Sequence, residues 1–565
     1  MTSPSVNIVI GGEAGQGLLT IGLLLAKGLV RCGYSIVVTQ GYQSRIRGGH
    51  NTYSIRASSK EISAPGKSID LLIALDAQSV DIHRPELSPG ALMVVDSDWE
   101  IKGSGCLAVP FLKLAANRFA NVLALGVAGG LLGLPEEILG RAVEESFSHK
   151  ALSVREENRK ALKTAYQWTF AQAVPFPKLG PTSNLPARLM INGNEAIALG
   201  ALSAGLKFLS FYPMTPATSI ALSLAAQAET LGLIVEQAED EISAINMAIG
   251  ASFAGAPSMV STSGGGFALM VEGVSLAGMT ETPLVIVVAQ RPGPATGLPT
   301  RTEQGDLEFI LHAGHGEFPR AVFTPGTVEE CFHLIRKALE LAESFQTPIF
   351  LLTDQFLADS YRAVIPFEVR ALSSVRPLTD WPDPTKPYFR YALNEESRSP
   401  RLLPGRSQHL VVADGDEHTE DGHLTEDLTV RKQMVEKRLR KLKALTRQVI
   451  PPEFSGDSRP EMLLVTWGSS RGSVLEAAER LRLKGKRVGA LHFSQVWPLV
   501  PEQFGSLLEE AGEVIGVEGN ATGQLARLIR RETGFLIAKQ VLRYDGLPIT
   551  PDYILKQVED WSPSL

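Results

Sequence analysis

Cysteine is scarce in this chain: three in 565 residues (Cys32, Cys106 and Cys331), far apart and without a CxxC pair. Three scattered thiols exclude an iron–sulfur cluster held by this chain alone, which takes about four thiolates. They also exclude a disulfide framework and fit a reducing compartment. Long apolar runs are missing too, since none reaches the roughly 18 residues that a membrane-spanning helix needs. There is no basic excess: 54 Lys and Arg against 61 Asp and Glu leave a net charge of −7. That argues against nucleic acid, which selects a basic domain or stripe. The opening MTSPSVNIVIGGEAGQG lacks the basic n-region of a signal peptide. A cytoplasmic protein that binds neither nucleic acid nor membrane is expected.

What is present is ample core material, 44% hydrophobic, in a length that predicts about two to four domains. Val6–Ile10, Ser35–Val38, Leu71–Leu75 and Leu92–Val95 read as strands, with Leu18–Val30 and Asn121–Leu132 as helices. Such alternation predicts a parallel sheet covered on both faces. Pro175, Pro177, Pro181 and Pro186 mark a linker. The rhythm resumes with strands at Leu206–Tyr212, Leu233–Glu236, Met259–Ser261, Leu284–Ala289, Ala321–Phe323 and Ile349–Leu352, and with helices such as Glu241–Ala254 and Val328–Ser344. After a Pro-rich and then charged stretch, a smaller α/β unit is expected from about residue 460. The fold class is α/β, with three doubly wound parallel-sheet domains.

Gly12, Gly15 and Gly17 follow the first strand and open a helix, a place where backbone N–H groups meet phosphate. Their order is GxxGxG rather than the dinucleotide fingerprint GxGxxG, and no acidic residue closes the second strand. Nicotinamide is therefore disfavoured. Arg45, Arg47 and His50 follow, a set suited to a phosphorylated nucleotide such as coenzyme A. A tight turn with a basic loop that packs on a neighbour explains the same residues.

Four strand-end loops carry the richer chemistry: Tyr212-Pro-Met-Thr-Pro216, Glu236-Gln-Ala-Glu-Asp-Glu241, Ser261-Thr-Ser-Gly-Gly-Gly266 and Gly297-Leu-Pro-Thr-Arg-Thr-Glu-Gln-Gly-Asp306. In open α/β sheets such loops gather at the carboxyl edge. Pro213 and Pro216 fix the backbone around Thr215, which either presents a hydroxyl or serves as a turn or cap residue. Glu241 is either a solvated first-turn carboxylate or a buried acid, because Ile242, Ala244, Ile245, Met247 and Ala248 give its helix a small apolar face. Arg301 either anchors a carboxylate or pairs with Glu303 or Asp306.

These motifs, with Arg47-Gly-Gly49, Asn192-Gly-Asn-Glu-Ala196, Thr280-Glu-Thr-Pro283, Val435-Glu-Lys-Arg438 and Glu518-Gly-Asn-Ala-Thr-Gly-Gln524, run in family order over nearly the whole length. The chain resembles the α subunit of 2-oxoacid:ferredoxin (acceptor) oxidoreductases, in the 2-oxoglutarate synthase-like form with a γ-type domain fused in front. It departs from the family at Met214, where Ile is usual, and at Ser263-Gly-Gly-Gly266, where Ser-Gly-Pro-Gly is common.

The resemblance implies a γ-type domain at 1–178, a thiamine pyrimidine-binding domain at 187–365, a linker with charged loop and helix at 366–459, and a transketolase C-terminal-like domain at 460–565. It implies CoA-dependent oxidative decarboxylation of a 2-oxoacid, 2-oxoglutarate first, to acyl-CoA and CO2, with electrons passing to ferredoxin. Pyruvate, branched-chain or aryl 2-oxoacids are the alternatives, and a non-catalytic nucleotide-binding scaffold is the competing class. On matching positions, Glu241 would meet N1′ of the aminopyrimidine, Thr215 and Arg301 the substrate, and Tyr212, Pro213, Ser263 and Gly264 the thiamine side. Gly12, Gly15, Gly17, Arg45 and Arg47 would hold coenzyme A.

Gly-Asp-Gly, the diphosphate–Mg²⁺ half of a thiamine site, does not occur; Gly305-Asp-Leu307, Gly415-Asp-Glu417 and Gly456-Asp-Ser458 all differ. A β subunit is therefore expected to share the thiamine diphosphate and Mg²⁺ and to carry the [4Fe-4S] cluster, in an (αβ)₂ assembly. This chain is expected to hold no metal. His312 and His315, and His418 and His423 in the acidic stretch 414–427, read as loop histidines. Arg431–Arg447 carries eight Lys and Arg around a stripe of Met434, Leu439, Leu442 and Leu445. It reads as an amphipathic helix whose basic face meets that acidic loop, with ferredoxin or RNA as alternative contacts.

Overall fold

The computed structural model describes residues 2–3, 5–43, 48–101, 103, 105–115, 119–180, 187–375, 385–399 and 401–561. Arg45 and Arg47 lie outside the described residues, as do Pro181 and Pro186 of the expected linker. Two compact units result, one of Met1–Asn192 with Asp359–Phe367 and Thr550–Asp552, the other of the remaining chain.

In the first unit, Cys106–Val109, Leu87–Asp96, Ile69–Ala74 and Ser5–Glu13 form a parallel run. The sheet then turns antiparallel through His50–Ser58 and Ser35–Gly41. Arg362–Val364 and Leu189–Ile191 extend it at the edge. Sequence periodicity missed the strand His50–Ser58 because only alternate residues there, Tyr53, Ile55 and Ala57, are buried apolar side chains. An antiparallel strand of that kind has no continuous apolar run to detect. Gly11 and Gly12 also belong to the strand Ser5–Glu13 rather than to the turn after it.

The second unit holds two sheets. In the first, Ile234–Gln237, Phe208–Phe211, Ser258–Thr262, Leu284–Gln290, Pro348–Asp354 and Ala321–Phe323 run parallel in that order. Leu284–Gln290 and Pro348–Asp354 are buried throughout, as strands covered on both faces must be. Gln495–Trp497, from the C-terminal third, adds an antiparallel edge. In the second sheet, Val488–Phe493, Met462–Trp467, Glu513–Glu518 and Lys539–Leu542 are parallel, with Glu453–Gly456 antiparallel at one edge. One apolar cluster joins the two sheets, with Val260, Ile286 and Phe350 in contact through it with Trp467, Phe493 and Leu525.

The charged stretch does more than shield itself. Glu417 takes Arg438 in two hydrogen bonds of 2.8 and 3.0 Å and Arg431 at 2.6 Å, so the basic helix Leu428–Thr446 does meet the acidic loop. His418 is buried against the Tyr391 ring, 4.0 Å between centroids, whereas His423 is exposed. The expected apolar stripe is only half realised: Met434 and Leu445 are buried, but Lys437 and Lys441 are buried beside them.

The cause is Glu281, fully enclosed and in a left-handed backbone conformation with φ 47°. Its carboxylate accepts from Lys437 Nζ at 2.7 and 2.9 Å and from Lys441, and its carbonyl accepts from Arg390 at 2.8 Å. Burial alone would raise its pKa, but Lys437, Lys441 and Arg390 outweigh that and hold the carboxyl well below the usual range. Burial pushes Lys441 down to about 7 against the pull of Glu281. Removing one partner of such a pair leaves uncompensated buried charge. Glu281→Gln is therefore expected to destabilise the fold by about 3–5 kcal/mol, read as a fall in the urea midpoint with the m-value unchanged.

Candidate active site

The parallel strands of the second unit deliver all four loops to one edge, around the point where chain order reverses between Ile234–Gln237, Phe208–Phe211 and Ser258–Thr262. Glu241 opens the helix Glu241–Phe253, whose N-cap, Asp240, accepts from the Ser243 N–H at 2.7 Å. With the cap filled by Asp240, the Glu241 side chain is free to turn inward. It is 3% exposed and its Oε1 has no hydrogen-bond partner among the described residues. Burial raises its pKa, its own backbone N–H opposes, and Asp240 adds to the rise.

Glycines in the first turn of the helix Gly264–Met279 make room for this group. A Cβ at Gly266 would overlap Glu241 Oε1, and one at Gly264 would overlap the Asp306 carboxylate. Ser263, at the N-cap position, is fully buried, and among the described residues its Oγ is unpartnered, as is that of Ser261. Asp306 Oδ2 is likewise buried without a partner among the described residues. Each orphaned polar atom costs about 1–3 kcal/mol in a closed interior. Four at one sheet edge, unsatisfied among the described residues, mark a place completed by a further group. Acceptors set above a glycine floor fit a planar heterocycle with ring nitrogens and an amino group, as in an aminopyrimidine.

Tyr212 and Pro213 are exposed at the mouth, and Thr215 is half-buried with its hydroxyl unpartnered among the described residues. The Thr215 carbonyl accepts from Arg291 Nη1 at 2.8 Å. Arg301 is half-buried, and among the described residues its guanidinium pairs with neither Glu303 nor Asp306. The loop that carries it is pinned by Gln304, whose Nε2 donates to the Trp467 carbonyl at 2.9 Å and whose Oε1 accepts from the Gly519 N–H at 2.7 Å. Gln524 holds the next turn, donating to the Gly305 carbonyl at 2.8 Å and accepting from the Glu308 N–H at 3.0 Å.

In the helix after Glu241, Ala244, Ile245 and Ala248 are buried as expected, but Ile242 and Met247 stand exposed, as does Leu269 on the neighbouring helix. Arg291 and Asp306 were not singled out as site residues from the sequence. Arg291 merely follows an apolar run, and Asp306 is an acid in a polar loop; only proximity in the fold gives them meaning.

In the first unit, Gly15, Gln16 and Gly17 line a cavity of about 590 Å³ with Asp96, Trp99 and Asn121. Gly17 is the left-handed N-cap of the helix Leu18–Arg31, where a side chain would strike Asn121. His50 is tied to His83, 2.8 Å between their Nε2 atoms, and His83 to Glu86 at 2.5 Å. His312 ends a helix with its Nε2 3.0 Å from Arg531, and His315 is exposed. Among the described residues Glu330, Glu453 and His492 approach one another, but Arg471 already holds Glu453 in a fork of 2.8–3.1 Å.

The Asp306 pKa is pushed up to about 6, by burial first and then by Glu303, with Arg291 opposing. A carboxyl raised in the fold contributes stability at low pH, and that contribution is lost as pH climbs through the folded value. Asp306→Asn should therefore melt above the parent chain near pH 7.5 and together with it near pH 4, as melting curves at the two pH values would show.

The family model described as "Pyruvate flavodoxin/ferredoxin oxidoreductase, thiamine diP-bdg" matches residues 199–437, and that described as "Pyruvate ferredoxin/flavodoxin oxidoreductase" matches residues 7–168. A 2-oxoacid:ferredoxin oxidoreductase subunit alpha from Sulfolobus sp is 32% identical over 96% of this chain and 95% of its own. The 2-oxoglutarate oxidoreductase subunit KorA of Mycobacterium tuberculosis is 30% identical over 97% of this chain and 90% of its own. A solved 2-oxoglutarate:ferredoxin oxidoreductase from Magnetococcus marinus, with 2-oxoglutarate, coenzyme A and succinyl-CoA bound, aligns at TM-score 0.92 and 32% identity over 99% of both chains. Matched along nearly its full length by relatives of one kind, this chain belongs to the α subunits of the 2-oxoacid:ferredoxin oxidoreductases.

Proposed function

We propose that this subunit supports the CoA-dependent oxidative decarboxylation of 2-oxoglutarate to acyl-CoA and CO2, in the cytoplasm, with ferredoxin as electron acceptor. The choice of acid is supported by the Magnetococcus marinus relative, solved with 2-oxoglutarate and succinyl-CoA. In this reading residues 1–178 are the γ-type domain, 187–365 the pyrimidine-binding domain and 460–565 the transketolase C-terminal-like domain. Gly12, Gly15 and Gly17, with Arg45 and Arg47, would receive coenzyme A in the first unit. The absence of Gly-Asp-Gly from the sequence supports a β subunit that grips the diphosphate and Mg²⁺ and carries the [4Fe-4S] cluster, in an (αβ)₂ assembly. Exposed Ile242, Met247 and Leu269 beside buried Glu241 support a partner over this mouth.

One observation carries the reading: a buried acid, Glu241, whose Oε1 has no partner among the described residues. Thiamine diphosphate, when bound, supplies a nucleophilic thiazolium carbon and a sink for the electron pair released with CO2. Glu241 would share a proton with ring nitrogen N1′, a task suited to a carboxyl raised toward neutrality. Ser263 and the bare helix turn at Gly264 would border the ring, with Tyr212 and Pro213 walling the mouth. Thr215 would donate to the carboxylate or keto oxygen of the substrate, and Arg301 would anchor a carboxylate.

Co-expressed with its β chain, Glu241→Gln should assemble normally and lose about 10²–10⁴-fold in 2-oxoacid-dependent dye reduction; unchanged turnover would remove the assigned acid. Arg301→Ala should lower kcat/KM by about 10–100-fold for monocarboxylic and dicarboxylic 2-oxoacids alike. A loss confined to dicarboxylates would instead place Arg301 on the distal acid.

A further inference from the structure

We propose that Asp306 is a second working acid of the site, a catalytic residue that holds a proton for the keto oxygen of the 2-oxoacid. The proposal rests on the thiamine reading above and adds to it the group that manages the proton at the substrate.

Asp306 occupies the N-cap position of the helix Leu307–His312, where an aspartate ordinarily accepts from a backbone N–H two or three residues on. Here its side chain makes no such bond. The N–H two residues on, that of Glu308, goes instead to Gln524 Oε1 at 3.0 Å, a side chain supplied by the helix Gln524–Thr533. Another residue thus fills the cap, and the Asp306 carboxyl is released to turn inward. Its Oδ2 ends buried and without a partner among the described residues. It lies against the first turn of the helix Gly264–Met279, where Gly264 lacks the Cβ that would collide with it. An acid that forgoes a ready hydrogen bond for an unsatisfied buried position gains the fold nothing. Carboxyls kept in that state mark functional sites.

Its position separates its task from that of Glu241. Gly264 and Gly266 are two residues apart, about 200° around a helix, so Asp306 at the first and Glu241 at the second flank the turn from opposite sides. The Asp306 N–H donates to Gln290 Oε1 at 2.9 Å, which fixes the residue over the end of the strand Leu284–Gln290. Arg301 stands earlier on the same loop, and Arg291, whose Nη1 holds the Thr215 carbonyl, is near enough to oppose the rise in the Asp306 pKa. Asp306 therefore faces the part of the cleft given above to the substrate. The charged groups that act on it are Glu303, which joins burial in favouring the protonated form, and Arg291, which opposes. As the keto carbon is attacked, the C=O electron pair moves onto oxygen and takes the Asp306 proton. The O–H bond of the acid breaks, a C–O–H forms and a carboxylate remains. When the carbonyl is remade in the acyl product, that proton returns to Asp306.

Measured in the co-expressed complex, Asp306→Asn should lower kcat about 10²-fold and leave the thiamine diphosphate dissociation constant, read by calorimetry, unchanged. The parent kcat should fall as pH rises through the Asp306 titration, since only the protonated acid can give its proton, and that limb should be missing from the Asn variant. The amide is expected to melt no lower than the parent at pH 7.5, which separates lost turnover from lost fold. Should the Asn variant not assemble, Asp306→Ala, which also removes the acid and crowds nothing, decides by the same pH profile. Unchanged kcat, an alkaline limb retained without the acid, or a thiamine diphosphate affinity that falls in step with kcat would each overturn the proposal. With Glu241→Gln run alongside, a silent Asp306→Asn beside an inactive Glu241→Gln sinks this proposal alone. Unchanged turnover in Glu241→Gln sinks the thiamine reading beneath it.

Discussion

The side chain of Gln304 is the constraint on which the candidate site depends. The stretch from Arg291 to Asp306 has no helix or strand, and ordering each of its residues costs about 1–2 kcal/mol in backbone entropy. Gln304 offsets that cost with a satisfied buried amide: Trp467 accepts from it, and Gly519 and Ser470 donate to it. Its own N–H donates to the Gly519 carbonyl, and the Thr302 N–H to Gly546. Arg301 and Asp306 are thus set in place by residues far later in the chain. The C-terminal sheet therefore has a role at the site without contributing an acid or base to it. Glu518, buried and bonded to Trp467, Asn520, Leu525 and Ala526, stiffens the segment that Gln304 grips.

Against this fixed frame the site is held in an unfavourable electrostatic state. Glu241 and Asp306 are both raised by burial, and each keeps an oxygen that nothing among the described residues satisfies. Such groups are destabilising until a ligand or partner arrives, and functional sites are where proteins tolerate that. Glu281 is the contrast. Equally buried, it is surrounded by Lys437, Lys441 and Arg390 and held charged. One kind of buried carboxyl pins the charged insert to the sheet that bears the site; the other waits for chemistry.

Much of this was legible in the sequence because it is local. An apolar run marked the strand Leu284–Gln290, the small apolar face marked the helix that Glu241 opens, and the four polar loops fell at strand ends. Other features left no local mark. Half-buried alternation hid the strand His50–Ser58, and Lys437 and Lys441 read as part of a basic face turned to the acidic loop because their true partner lies at position 281.

The sequence by itself determined the class of fold, the order of the loops and, through the motifs they carry, the family. Short-range pattern and turn chemistry are enough for that, since they act between residues a few positions apart. Only the tertiary structure decided which polar groups would be left without partners, and that Arg291 would reach Thr215. Burial and hydrogen-bond satisfaction are properties of what surrounds an atom, and around Glu241 the surroundings come from segments that meet only when the sheet is built.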